Sequence, residues 1–241
     1  MPNQHSLEDR VPSRSQRALQ AVRSHVQPGS FSLLLVASVL LYVLNGLAVD
    51  SMAGAIAVQV GRAGVVCASI YVLSANRLTL WLGVLAAGLA VTLEGRLWAP
   101  DQHVSRVLLD SITMGFLFWI LVVVLREVFR ATTTERDAVV GALCGFVLIL
   151  TVFMRLHGLI EALCPGSYHA DGPPLSERSE MMLTAVFQYF STVTVTTVGF
   201  GDIVPVTPAA RLATGLEAIV GQLYLAVVIA TLVGRVAARR E

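Results

Sequence analysis

Runs of about twenty apolar residues, long enough to cross the hydrocarbon core of a bilayer, recur along this 241-residue chain and constrain it more than any other feature. In lipid, backbone N–H and C=O groups must be satisfied within the segment itself, so runs of this length read as helices. They fall at Phe31–Val49, Ala53–Ala75, Leu78–Leu97, Val107–Val128, Ala138–Leu163 and Ala209–Val236. A further apolar stretch, Leu183–Val195, is too short to span and reads as re-entrant. At 55% hydrophobic and a mean hydropathy of +0.72, the chain is too apolar for a soluble domain of its size. The expected fold class is an all-α polytopic membrane protein with the lipid bilayer as its solvent.

Charge placement gives the orientation. The net charge is +1 and makes no case for a nucleic-acid partner. All the strongly basic residues are arginine. With a cytoplasmic N-terminus, Arg10, Arg14, Arg17, Arg23, Arg77, Arg126, Arg130, Arg136, Arg235, Arg239 and Arg240 lie inside, and only Arg96, Arg106, Arg178 and Arg211 lie outside. That asymmetry satisfies the positive-inside rule and puts both termini in the cytoplasm of a multi-pass protein of the cell (plasma) membrane. Residues 1–30 form a polar, basic segment without a signal-peptide pattern, read as disorder or a short interfacial helix over Ser13–Val26. Cys67, Cys144 and Cys164 have neither metal spacing nor a disulfide framework.

Between the re-entrant stretch and the last span lies Thr196-Thr197-Val198-Gly199-Phe200-Gly201-Asp202. Gly199 and Gly201, at alternate positions, take positive φ without a Cβ penalty, so successive carbonyls can turn toward one line. Val198 and Phe200 then point away from that line, and Thr197 adds a hydroxyl oxygen at its inner end. Ser191, Thr192 and Thr194 precede the segment, and Pro208 opens the helix that follows, a position proline favours. Four such segments around an axis replace the water shell of a dehydrated potassium ion with carbonyl oxygens.

This segment and its flanks resemble the selectivity filter of tetrameric potassium channels. The resemblance covers a pore module at 137–241: outer helix Ala138–Leu163, turret Cys164–Glu180, pore helix Leu183–Val195, filter, and inner helix Ala209–Val236. It implies a homotetramer with potassium coordinated by Thr197, Val198, Gly199 and Phe200, and Gly201 completing the filter. Asp202, Thr196, Tyr189, Val193 and Glu217 are implied as filter support, with Ser191, Thr192 and Gln188 as candidate partners of the Glu217 acid. Val193 stands where some bacterial channels have a glutamate, Tyr189-Phe190 replaces a tryptophan pair, and Phe200 lacks a tyrosine hydroxyl. These departures bear on filter rigidity more than on selectivity. Gly221 falls where the family often carries a hinge glycine, although close helix packing by a small residue fits it equally. Gln222, Leu225, Ile229 and Val233 share one helix face, read as lining the cavity and gate or as packing on a neighbour.

The preceding 31–130 segment reads as a bundle of four spans without a voltage-sensor arginine repeat. Val107–Leu125 contains no arginine, whereas steep voltage gating needs several charges moving together, each worth about 2.3 kcal/mol per 100 mV. Arg62, Asp110 and Arg155 do lie within spans, with Glu94, Asp110 and Glu161 as candidate partners for the two arginines. Structural pairing and a sensing role both remain open for them. His157 and Glu161, four apart, lack a third ligand, and no phosphate loop or nucleophile motif marks an enzyme. The sequence ends within a few residues of the last span, so no cytosolic ligand-binding domain is expected. The function expected is passive, potassium-selective conduction, with potassium as permeant ligand and no cofactor. A weakly selective cation channel and the membrane subunit of a potassium uptake transporter are the alternatives. Such transporters usually carry four pore repeats per chain, against the one here. A regulatory subunit is left open.

Overall fold

The computed structural model describes residues 30–47, 51–73, 102–129, 135–172 and 174–238. The basic N-terminal segment up to residue 29, the expected third span Leu78–Leu97 and Glu94 lie outside the described residues. The helices are α1 (Ser30–Leu47), α2 (Met52–Leu73), α3 (Gln102–Val128), α4 (Glu135–Leu163), α5 (Glu180–Val195) and α6 (Pro208–Ala238). Four of them, α2, α3, α4 and α6, are long and apolar enough to cross a membrane, and Phe31–Leu47 in α1 is a shorter apolar helix. The chain is therefore an all-helical, multi-pass membrane protein in its main elements, as the apolar runs require.

Helix ends follow local chemistry. Ser51 Oγ accepts the Gly54 N–H at 3.0 Å and caps α2. Ser179 does the same for α5, accepting from Met182 N at 3.2 Å, with Glu180 in the positively polarised first turn. That cap starts α5 one turn earlier than the Leu183 expected from hydropathy, because Glu180, Met181 and Met182 are recruited by the cap and not by apolar burial. Pro208 opens α6, behind a Thr207 carbonyl that accepts from Arg211 N at 3.0 Å.

Among the described residues, a two-stranded antiparallel ribbon departs from the all-α expectation. The segment after α4 folds back so that β1 (Tyr168–Ala170) pairs with β2 (Ile203–Pro205), with Tyr168 opposite Pro205 and Ala170 opposite Ile203. The ribbon ties the turret to the chain leaving the Thr-Val-Gly-Phe-Gly segment. Alongside it, Asp171 N donates to Asp202 O at 3.2 Å and Val206 N to Ser167 O at 2.8 Å.

Two apolar clusters hold the helices. The larger joins Phe31 and Leu34 of α1, Val65 and Val72 of α2, Ile120 and Val124 of α3, Leu148 of α4, Val195 of α5 and Tyr224 of α6. The smaller surrounds the start of the ribbon, with Met154, Tyr168, Leu175, Phe187, Phe190 and Ala210. Small residues allow close approach where helices meet. A Cβ on Gly141 of α4 would lie 2.6 Å from Val128 Cγ2 of α3. The Tyr224 hydroxyl donates to the Ala142 carbonyl and fixes α6 against α4.

Candidate functional site

The backbone from Thr197 to Gly201 alternates in handedness. Thr197 has φ 60°, Gly199 51° and Gly201 81°, with no positive φ at Val198 or Phe200 between them. The two glycines take the conformation their position suggested. Thr197 extends the pattern by one step, unforeseen because a β-branched residue ordinarily avoids this region. A chain that alternates this way turns successive carbonyls to the same side, the arrangement a line of cation sites needs. All five residues are exposed on the single chain, Val198 at 53% and Phe200 at 70%.

The segment is anchored to the C-terminal turn of α5. Val193 O accepts from both Val198 N at 2.8 Å and Gly199 N at 3.1 Å. Thr197 N donates to Thr194 O at 3.0 Å, and Thr196 Oγ1 donates to Thr192 O at 2.6 Å. Val193 therefore supports the segment through its carbonyl, with its side chain buried. The Tyr189 and Phe200 rings stack with centroids 6.3 Å apart and planes 3° from parallel. A hydrogen bond to the Asp202 carboxylate holds the Tyr189 proton above the ordinary tyrosine range. The stack takes up the ring face of Phe200, which has no hydroxyl to bond.

Behind α5, a buried polar chain crosses four elements. Tyr168 OH lies 2.6 Å from His157 Nδ1, and His157 Nε2 lies 2.8 Å from Glu217 Oε2. Ser191 Oγ reaches both Glu217 Oε1 and, at 3.1 Å, Leu150 O. Glu217, His157 and Ser191 are fully buried. Burial first, then the Glu217 and Glu161 charges, raises the Tyr168 phenol above its ordinary range. Of the three partners expected for Glu217, Ser191 is correct, while Gln188 and Thr192 bond elsewhere. His157 was missed, because the residue lies 60 positions away in sequence and only the packing of α4 on α6 brings it near. Glu161 instead accepts from Gly166 N at 2.8 Å and Tyr168 N at 3.1 Å, bracing the turret.

Gly221 resolves as a packing glycine in this conformation. A Cβ there would overlap Val195 Cγ2 and stand 2.9 Å from Val195 O, so α6 passes α5 directly below the filter-like segment. Gln222, Leu225 and Ile229 are exposed along α6, on a face no described element covers. The side chain of Val233 lies outside the described residues. Within the bundle, Arg155 Nη1 pairs with Asp110 Oδ1 at 2.9 Å, one of the pairings the sequence allowed. Both line a cavity of about 310 Å³ together with Asn45, Gln59, Arg62 and Phe187. No group of three or more metal-binding side chains occurs among the described residues.

Two comparisons bear on this geometry. Residues 149–238 match the family model described as ion channel, and those residues run from α4 through the last turn of α6. Over 103 residues the chain is 34% identical to the voltage-gated potassium channel Kch of Escherichia coli (strain K12). That stretch covers 42% of this chain and 22% of Kch, so the chain spans about a fifth of the length of this relative. No solved structure matches the chain. Residues 149–238 are thus similar to the ion channel family, and the likeness to Kch supports the potassium channel family within it.

Proposed function

We propose that the chain is a potassium-selective channel subunit that conducts passively across the cell membrane as a homotetramer. The observation that carries this reading is the positive φ at Thr197, Gly199 and Gly201 in alternation, on a segment outside regular secondary structure. Thr197, Val198, Gly199, Phe200 and Gly201 then coordinate potassium. Thr196, Tyr189, Val193 and Asp202 brace them, and Glu217 holds α5 through Ser191. In this reading α5 is a re-entrant pore helix whose negatively polarised C-terminus faces the permeant ion. The large apolar residues exposed on α6, among them Leu212, Ile219, Leu223 and Ile229, fit a helix whose partners are three further copies and lipid. Gln222, Leu225, Ile229 and Val233 line the cavity and gate, and Gly221 is where α6 bends if it leaves Val195. Both termini face the cytoplasm. The name of the similar protein, Kch, agrees with potassium as the ion.

Potassium flux into liposomes tests the assignment. The wild-type protein should support uptake of potassium, rubidium and thallium. Gly199→Ala puts a Cβ on a residue at φ 51° and should abolish that uptake while the protein still inserts and assembles. Undiminished flux in Gly199→Ala would remove the filter from the account.

A further inference from the structure

The helix that begins the N-terminal bundle touches the pore helix of its own chain through a compact set of hydrogen bonds. Tyr42 OH of α1 lies 2.8 Å from Thr192 Oγ1, and the Tyr42 carbonyl accepts from Gln188 Nε2 at 2.9 Å. Thr192 Oγ1 donates its single proton to Gln188 O at 2.7 Å, so the tyrosine is the donor to threonine. One turn further along α1, Gly46 presents no side chain, and a Cβ there would stand 3.4 Å from Gln188 Nε2. Tyr42 and Gly46 thus form one face of α1 against Gln188, which is buried in the contact.

The position of this contact gives it a consequence. Thr192 O accepts from Thr196 N at 3.1 Å and from Thr196 Oγ1, and the next carbonyl, Val193 O, receives the amides of Val198 and Gly199. The hydroxyl that Tyr42 holds therefore belongs to the turn of α5 that anchors the filter segment. Thr192 cannot shift its backbone without disturbing that anchorage, and its side chain, held by Tyr42 OH and Gln188 O, helps keep that backbone in place. About 100° around the same helix, Ser191 is held by Leu150 O and Glu217. The turn is gripped from two sides, by the pore module through Ser191 and by the bundle through Tyr42.

We infer that Tyr42 is a positioning residue for the selectivity filter, and that α1 serves as a brace for the conducting filter within its own chain. The inference rests on the filter reading above. It gives a bundle without sensor arginines a direct mechanical role: displacement of α1 relaxes the Thr192 turn and lets the filter leave its conducting form. Each bond is a single interaction, so its loss should shift the balance between conducting and non-conducting filter by roughly 2- to 10-fold, the range one net hydrogen bond supplies.

Single-channel recording of the full-length protein in planar bilayers tests this, with Tyr42→Phe, Thr192→Val and the double variant. Tyr42→Phe removes only the hydroxyl and leaves the carbonyl that Gln188 uses. The expected result is a several-fold fall in open probability at low external potassium, restored as external potassium rises and refills the filter. The double variant should behave like Thr192→Val alone, since that variant already deletes the bond that Tyr42→Phe removes, together with the one to Gln188 O. Thermal dissociation of the tetramer, followed on gels, serves as the second readout. Wild-type-like potassium dependence in both single variants, additive effects in the double variant, or a change confined to thermal stability would each overturn the inference. Should Tyr42→Phe fail to assemble, Thr192→Val alone carries the test through the same potassium dependence. A wild-type protein that passes no potassium would instead overturn the filter reading, a distinct outcome.

Discussion

Thr197 holds φ 60°, a conformation that costs a non-glycine residue of order 1–3 kcal/mol, and it does so next to two glycines that adopt the same region freely. The surrounding bonds over-determine it. Thr197 N is held by Thr194 O, and the following amides of Val198 and Gly199 converge on one carbonyl. Gly199 and Gly201 were legible in sequence because the whole Thr-Thr-Val-Gly-Phe-Gly-Asp run lies between a short apolar stretch and a long span, whereas a bare glycine pair marks any turn. The threonine was not, because its propensity points away from the conformation that the turn imposes. Gly221 shows the reverse case, in which sequence left two roles open and this structure shows the packing one. A Cβ at that site meets the Val195 carbonyl and side chain, and Val195 is fully buried. Gly221→Ala is therefore expected to push α6 from α5, lowering the thermal midpoint of the protein and cutting current by at least about fivefold, on the 1–3 kcal/mol scale of overpacking. A variant with wild-type melting and current would show that α6 does not pack on Val195 in the functional state.

At the scale of elements, apolar length predicted four helices long enough to span and missed their polar caps; Phe31–Leu47 is shorter than a span, and Leu78–Leu97 lies outside the described residues. α5 begins with Glu180 because Ser179 caps it, a signal of hydrogen bonding that a hydropathy run does not carry. The ribbon between β1 and β2 was invisible for a related reason: three-residue strands leave no periodicity to read, and their pairing is set by the turret folding over the exit of the filter segment. Buried partners were partly legible. Asp110 and Arg155 could be matched by charge, whereas His157 and Glu217 required knowledge of how α4 lies on α6. The expected voltage response belongs at this scale. The α3 helix has no arginine between Val107 and Leu125, and the arginine on α4 that it contacts is tied to Asp110. Open probability in symmetrical potassium should thus rise only shallowly with voltage, and any slope should move with external potassium. A gating current that persists without permeant ion and vanishes in Arg62→Gln would assign the bundle a sensor after all.

For the whole molecule, the proposed function has one filter segment per chain provide a quarter of a coordination cage, which closed fourfold symmetry would complete. The apolar residues along α6 that stay exposed on one chain, Leu216 at 49% and Val227 at 49% among them, are then shared between neighbouring copies and lipid. Native mass spectrometry from nanodiscs should give a tetramer; dimers or monomers under conditions that retain flux would break the account of the cage. Selectivity is the property on which all scales converge, because it depends on the handedness at each residue, the anchorage to α5 and the assembly together. The reversal potential of the purified channel in a planar bilayer, with potassium on one side and sodium on the other, measures it directly. The account predicts a reversal potential close to the potassium limit, with rubidium and thallium substituting for potassium and sodium excluded. A reversal potential near zero under the same gradient would contradict it.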